Sequence, residues 1–160
     1  MYALFSLGTG LERYFGHGRF ILLYVLGAFT GNVFSFLFSG GGLSVGASTA
    51  IFGLLGAEAV FLFLNREMFA GHYGRAIQNV VFIAIINLIL GLQPGIDNWG
   101  HVGGLLGGLM FTWFAGPLWK VEGVPPALHM VDQRSRRDVI VGAATVILVF
   151  SALAMWGMKN

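Results

Sequence analysis

The sequence contains no cysteine and few charged residues. Of its 160 residues, 10% are Asp, Glu, Lys or Arg and 56% are hydrophobic, whereas a soluble domain carries about 25% charged residues. The lack of cysteine excludes disulfides, thiolate catalysis and cysteine-based metal sites. A formal charge of +2 is too small to indicate a nucleic-acid partner. Neither a phosphate-binding glycine loop nor a His–Glu cluster is present, so no metal or other cofactor is predicted.

Charged residues are also unevenly distributed, which leaves long uncharged stretches. A helix needs about 20 apolar residues to cross a bilayer, and several such stretches in one short chain predict an all-α, polytopic membrane bundle in contact with lipid. Residues 1–15 are interpreted as the second half of a further helix, and residues 39–46 as a flexible or re-entrant loop. The five predicted crossings are roughly 20–38, 48–65, 76–93, 100–119 and 139–158.

The basic residues indicate how this bundle is oriented. Lys and Arg accumulate in cytoplasmic connections, and only Lys159 falls on the other side of the predicted membrane. The sequence therefore predicts a multi-pass protein, of the plasma membrane, in which the starts of crossings 48–65 and 100–119 face away from the cytoplasm. Eight basic residues occupy the alternate connections: Arg13, Arg19, Arg66, Arg75, Lys120, Arg134, Arg136 and Arg137.

Two polar residues stand at the starts of apolar crossings, Ser48 and His101. Because His101 opens the crossing two after that of Ser48, both are expected at the same membrane face. A serine hydroxyl is a weak nucleophile unless a base removes its proton. His101 is also the one histidine that falls within a predicted crossing, and ionisable groups in membranes are usually functional. A serine alone more often packs or bonds to its own helix, but the pair favours hydrolysis of a peptide bond.

A glycine stripe accompanies the histidine. Gly104 and Gly108 lie within about 60° of His101 on a helix with 100° per residue. Small residues on one stripe allow membrane helices to approach closely. The stripe predicts close packing of this helix against the helix that begins at Ser48.

With these motifs the chain resembles the rhomboid family of intramembrane serine proteases. The resemblance rests on the segments 46–48, 52–56 and 98–101, with sequences Gly-Ala-Ser, Phe-Gly-Leu-Leu-Gly and Asn-Trp-Gly-His. It implies a single rhomboid-type domain over 1–160, with 139–158 as an additional C-terminal helix. It also implies cleavage of membrane-spanning proteins near the outer face by a Ser–His dyad.

The resemblance assigns roles to individual residues. Ser48 would be the nucleophile, His101 the general base and later acid, and Phe52 the aromatic residue that packs against the imidazole. Gly104 and Gly108 match the family's close-packing glycines. The residues around the serine are expected to support it and to donate to the oxyanion, namely Gly46, Ala47 and Thr49.

Two departures from the family pattern keep an alternative open. Thr49 stands where the family usually has glycine, and the family's His-x-x-x-Asn pair aligns before Met1, together with the first family helix and its outer loop. The alternative is a catalytically inactive rhomboid-like protein that binds membrane helices. A small transporter or channel subunit is a more distant alternative, and the sequence leaves the oligomeric state open.

Other polar residues receive structural interpretations. Glu58 is expected to be protonated or hydrogen-bonded within the bundle, and Asp97 to be a solvated loop acid rather than a third catalytic residue. Asn32 and Asn87 are predicted to form interhelical hydrogen bonds. The basic segment 134–137 is predicted to be a topology anchor before the last helix.

Overall fold

The fold is a helical bundle with one small hairpin. A computed structural model describes residues 2–39 and 47–159. Most of the predicted loop 39–46 lies outside these residues. The elements are α1 (Tyr2–Phe15), α2 (His17–Phe38), α3 (Ser48–Leu64), α4 (Arg66–Phe69), a 3₁₀ turn (Ala70–His72), α5 (Tyr73–Leu90), α6 (Asn98–Ala115), β1 (Trp119–Glu122), β2 (His129–Asp132) and α7 (Arg136–Gly157).

A helix occupies each of the five positions predicted to cross the membrane. By length and composition, three segments are suited to span a bilayer: α2, Arg66–Leu90 and α7. The helix α3 is apolar but has 17 residues, and α6 has 18. The prediction of a helical membrane bundle is thereby confirmed, whereas the exact number of crossings stays a prediction.

The predicted boundaries need one correction, at the end of α6. The sequence predicted a helix to residue 119, but α6 ends at Ala115 and Trp119 begins a strand. Pro117 explains the early end, because proline has no N–H to donate and forces the preceding residue out of helical geometry. The linker before α7 therefore holds an antiparallel hairpin that the sequence analysis did not predict.

Helix α7 begins after this hairpin with a complete N-terminal cap. Ser135 Oγ accepts a hydrogen bond from the Asp138 N–H at 3.2 Å, and Asp138 Oδ2 accepts one from the Ser135 N–H at 2.8 Å. This reciprocal capping box satisfies N–H groups that would otherwise be unpaired at a helix start. The long apolar helix that follows packs on α6 and α2.

The helices α2, α3 and α6 form the centre of the bundle. A Cβ atom on Gly108 of α6 would overlap the carbonyl oxygen of Gly53 in α3, and one on Gly53 would lie 2.9 Å from Cα of Gly27 in α2. These three backbones therefore meet where no side chain separates them. By contrast, α5 is peripheral, because Val80 is its one buried residue.

The helices α3 and α6 run in the same direction. Near their starts, Gly104 packs against the carbonyl group of Thr49. At their other ends, the Asn65 side chain donates to the carbonyl of Pro117 at 3.0 Å and accepts from the N–H of Trp119 at 2.8 Å. The first residues of both helices thus lie at one end of the bundle, and the hairpin lies at the other.

Candidate active site

The start of α6 is fixed by Asp97. Its Oδ1 accepts a hydrogen bond from the Gly100 N–H at 2.9 Å and another from Ser39 Oγ at 2.9 Å. The first bond is an N-terminal cap of α6, and the second ties this cap to the end of α2. Asp97 is half-buried, so it is a structural cap rather than the fully solvated acid that the sequence analysis expected.

His101 lies in the first turn of α6 and is buried, with 7% of its surface exposed. Its imidazole stacks on the ring of Phe52 from α3, with the centroids 4.3 Å apart and the planes inclined by 13°. Phe52 is itself buried. Among the residues that the structure describes, none forms a hydrogen bond with His101 Nδ1. One ring face is therefore fixed by packing while this nitrogen remains unbonded.

Ser48 is the first residue of α3, one turn before Phe52, and it is exposed. It lies at the same end of the bundle as His101, because α3 and α6 are parallel. No hydrogen bond joins the Ser48 hydroxyl to the imidazole within residues 2–39 and 47–159. The preceding Ala47 is also exposed and occupies the N-cap position. Gly46, another predicted supporting residue, lies outside the described residues.

Thr49 is buried between two other helices. A Cβ atom on Gly31 of α2 would lie 2.6 Å from Thr49 Cβ, and one on Gly100 of α6 would lie 2.9 Å from Thr49 Cγ2. The threonine side chain therefore occupies space that the two glycines leave free. Its bulk, which replaces the glycine expected from the resemblance, is accommodated in helix packing.

The predicted glycine stripe lies in the contact between α6 and its neighbours. A Cβ on Gly104 would overlap the carbonyl oxygen of Thr49, as one on Gly108 would overlap that of Gly53. Gly107, on an adjacent stripe of α6, packs against Thr30 of α2, whose hydroxyl donates to the Gly27 carbonyl at 3.2 Å. The sequence analysis did not identify Thr30. The spacing of Gly27 and Gly31 around it was the available signal.

The structure corrects the interpretation of two asparagines and adds a third. Asn32 and Asn87 are exposed, and each side-chain amide donates to a carbonyl of its own helix, that of Ala28 or that of Ile83. The prediction that they bond between helices was wrong, since each faces away from the bundle. Asn65, which was not singled out from the sequence, instead bonds to the segment that follows α6, through Pro117 and Trp119.

Glu58 lies on α3 between the site and Asn65. It is partly buried, and its Oε2 has no hydrogen-bond partner in the part of the chain that is described. Nor do those residues hold a group of three or more His, Asp or Glu side chains arranged to bind a metal ion. The chemistry that the described site offers is therefore that of a hydroxyl, an imidazole and backbone N–H groups.

This arrangement was compared with known proteins. The family model for the rhomboid domain matches residues 1–118. The chain belongs to the rhomboid family. The match includes α1 to α6 and ends immediately before β1, so the hairpin and α7 lie beyond it. With this membership and its apolar helices, the chain is a multi-pass integral membrane protein.

Individual relatives support the same assignment. The chain is 49% identical over 107 residues to Rhomboid protease GluP of Bacillus subtilis (strain 168). This alignment covers 66% of the chain and 20% of that relative. It is 42% identical over 110 residues to RHOMBOID-like protein 1 of Arabidopsis thaliana, covering 69% and 28%. RHOMBOID-like protein 5 of the same plant is 34% identical over 143 residues, covering 85% and 46%.

The chain thus spans about a fifth to just under half of the length of these relatives. Family membership and a relative named as a protease support intramembrane proteolysis at the level of the family. The relatives also include proteins named as mitochondrial and as chloroplastic, so family membership alone does not fix which membrane holds this chain.

Proposed function

We propose that this chain is an intramembrane serine endopeptidase in which Ser48 and His101 form the catalytic dyad. The observation that carries the proposal is the stack of His101 on Phe52. It fixes a buried imidazole against the same helix that begins with Ser48, one turn earlier. Because α3 and α6 pack tightly, a nucleophile at the start of one helix and a base in the first turn of the other lie at the same end of the bundle, which supports a dyad in which the base activates the nucleophile.

In the proposed reaction, Ser48 Oγ attacks the scissile carbonyl while His101 accepts the hydroxyl proton. His101 then donates this proton to the leaving amine, and a water molecule hydrolyses the acyl-enzyme. The first N–H groups of a helix have no partner within it. Those of Ser48 and Thr49 at the start of α3 are therefore proposed as oxyanion donors, and Gly46 and Ala47 as residues that support the serine.

The proposed substrates are membrane-spanning proteins that are cut near the face where α3 and α6 begin. That face is proposed to be directed away from the cytoplasm, since eight of nine basic residues belong to the opposite side by the sequence analysis. The plasma membrane is the proposed location. We further propose that residues 1–160 form one rhomboid-like domain, to which α7 adds a C-terminal helix.

A fluorophosphonate probe tests for an activated serine. We expect covalent labelling of the purified chain in lipid nanodiscs, and its loss in Ser48→Ala and His101→Ala. Ser151→Ala, in α7, and His129→Ala, in the hairpin, remove a serine and a histidine elsewhere and should label normally. Labelling that persists in Ser48→Ala would contradict the assignment of the nucleophile.

The second candidate is a non-catalytic rhomboid-like protein that binds membrane helices. It is favoured by the missing hydrogen bond between Ser48 and His101 in the described residues, although such bonds often tighten only with substrate present. A folded chain that remains unlabelled, and whose variant with a photoreactive residue in place of the exposed Ser48 crosslinks to transmembrane segments, would support this candidate. Labelling that requires Ser48 would exclude it.

A further inference from the structure

The hairpin between α6 and α7 is attached firmly to the end of the bundle. Asp132 Oδ2 accepts a hydrogen bond at 2.5 Å from Arg19 in the first turn of α2, and its Oδ1 accepts from the N–H groups of Leu118 and Arg134 at 3.0 Å each. The Trp119 side chain packs against the core of the bundle. The base of the hairpin therefore has a fixed position relative to the helices.

The contacts around this base are those typical of the level at which helices leave a bilayer. Arg134 donates to the carbonyl of Trp113, in the last turn of α6, at 2.9 Å. The Trp113 side chain is half exposed and stacks on Phe63, over which the Arg66 guanidinium lies at 5.5 Å. Tryptophan beside arginine is typical of the boundary between lipid and water. Residues 116–118 and 133–135 span at most about 10 Å each, so the hairpin stays close to that boundary.

The strand register divides the hairpin into two faces. Trp119 pairs with Asp132 and Val121 with Met130, and residues directly opposite each other, or two apart on a strand, share a face. The inner face therefore consists of Trp119, Val121, Met130 and Asp132. Its base contacts the bundle through Trp119 and Asp132. The same face continues outward with Val121 and Met130.

Beyond the bundle, this inner face is apolar and uncovered. Val121 is 63% exposed and Met130 48% exposed, and in the connecting turn Val124 is 78% and Leu128 54% exposed. We call these four residues the apolar tip. The other face bears Lys120, Glu122 and His129, together with the half-buried Val131 near the base. A two-stranded hairpin is marginally stable alone in water, and exposed apolar patches of this kind mark sites of contact.

We propose that the hairpin is an interfacial anchor whose apolar tip inserts into the lipid leaflet beside the end of α6 and the start of α7. The inner face of the hairpin contacts the helices at the base of the hairpin. Toward the apolar tip the same face extends past the helices, where it would meet the lipid that surrounds them. Interfacial elements bury their apolar face by roughly 5–10 Å at the headgroup boundary. The hairpin follows the residues that match the rhomboid domain, so this anchor is a feature of this chain beyond the shared core.

Charge supports insertion through apolar contact rather than attraction to anionic lipid. Within residues 116–135, Lys120 and Arg134 are balanced by Glu122 and Asp132, so the formal charge of this segment is zero. The hairpin therefore offers no excess positive charge to headgroups. Insertion is expected in purely zwitterionic lipid.

The absence of cysteine permits a direct test with single spin labels. Val121→Cys and Met130→Cys place a label on the inner face, Lys120→Cys and His129→Cys on the outer face, each in phosphatidylcholine nanodiscs. Power-saturation EPR measures how often each label collides with oxygen, which concentrates in lipid, and with a nickel chelate, which stays in water. The ratio of oxygen to nickel accessibility should be several-fold higher at residues 121 and 130 than at 120 and 129.

Three results would overturn the proposal. Equally low ratios on both faces would place the hairpin in water. Labels at 121 and 130 that are shielded from both reagents would mean that protein, such as a second copy of the chain, covers the tip. Val124→Cys is a variant that is expected to fold normally, because this turn residue is largely exposed and its substitution removes little packing. A water-like ratio at residue 124 would also contradict insertion.

Discussion

At the scale of single residues, the orientation of His101 depends on Phe52. An imidazole with an unbonded Nδ1 can rotate or exchange tautomers, and a hydrogen bond usually prevents this. Here the imidazole stacks on the Phe52 ring, with the two centroids 4.3 Å apart, and this contact restricts its rotation. Because Phe52 lies one turn after Ser48 on α3, the proposed nucleophile and the residue that supports the proposed base are parts of one helix.

Replacement of Phe52 by leucine should separate ring stacking from volume. Aromatic pairs contribute about 0.5–1.5 kcal/mol beyond their buried area, so fluorophosphonate labelling of Phe52→Leu should be roughly three- to tenfold slower. Its thermal midpoint should change little, since leucine fills most of the space. Phe82→Leu, at an exposed position of α5, should leave the labelling rate unchanged. An unchanged rate in Phe52→Leu would show that the stack does not orient the base.

At the scale of helices, the contact of α3 with α6 depends on glycine residues, which have no side chain to separate the two backbones. Dispersion contacts weaken when packed surfaces separate, and a Cβ at Gly108 would meet the Gly53 backbone, which cannot rotate away. The same contact holds the starts of both helices, and hence Ser48 and His101, in register. Close packing and the proposed chemistry thus rest on the same glycines.

Gly108→Ala should therefore destabilise the bundle. Overpacking typically costs about 1–3 kcal/mol, which predicts a lower thermal midpoint and a lower free energy of unfolding in detergent. Gly10→Ala is the matched control, because its Cβ would meet nothing within 4 Å in α1; alanine there should be neutral or up to about 1 kcal/mol stabilising. Equal midpoints for the two variants would contradict the packing argument.

At the scale of the whole molecule, the site and the hairpin lie at opposite ends of the bundle. The Asp97 cap stands at the end where α3 and α6 begin, and Asn65 with Asp132 stands at the end with the hairpin. If basic residues retain the second end in the cytoplasm, the two ends differ in their access to reagents outside the cell.

Single cysteines test this orientation in intact cells. A membrane-impermeant maleimide should label Gln93→Cys, in the exposed turn before α6, and should label Glu122→Cys only after permeabilisation. Each variant is the control for the other, since both residues are exposed and both lie outside helices. The reverse pattern would show that Ser48 and His101 face the cytoplasm.

The sequence by itself determined the class of this protein. Uncharged stretches such as 20–57 and 139–158 require a non-aqueous environment, and this property is local, so five helices could be placed without knowledge of their partners. Glycines at 104 and 108 share a helical stripe by arithmetic alone. The motifs around Ser48 and His101 were sufficient to recognise the rhomboid family, to which the chain belongs.

Only the tertiary structure decided which polar groups are paired and which way the side chains face. Asn32, Asn65 and Asn87 look alike in sequence, yet of these three only Asn65 bonds to a distant segment, the one that follows α6. The reason is that lipid-facing and bundle-facing positions in uniformly apolar helices carry the same residue types. Thr49 stands where the rhomboid pattern usually has glycine, and glycines on two other helices accommodate its side chain. Such pairings depend on atoms far apart in the chain, and local composition does not encode them.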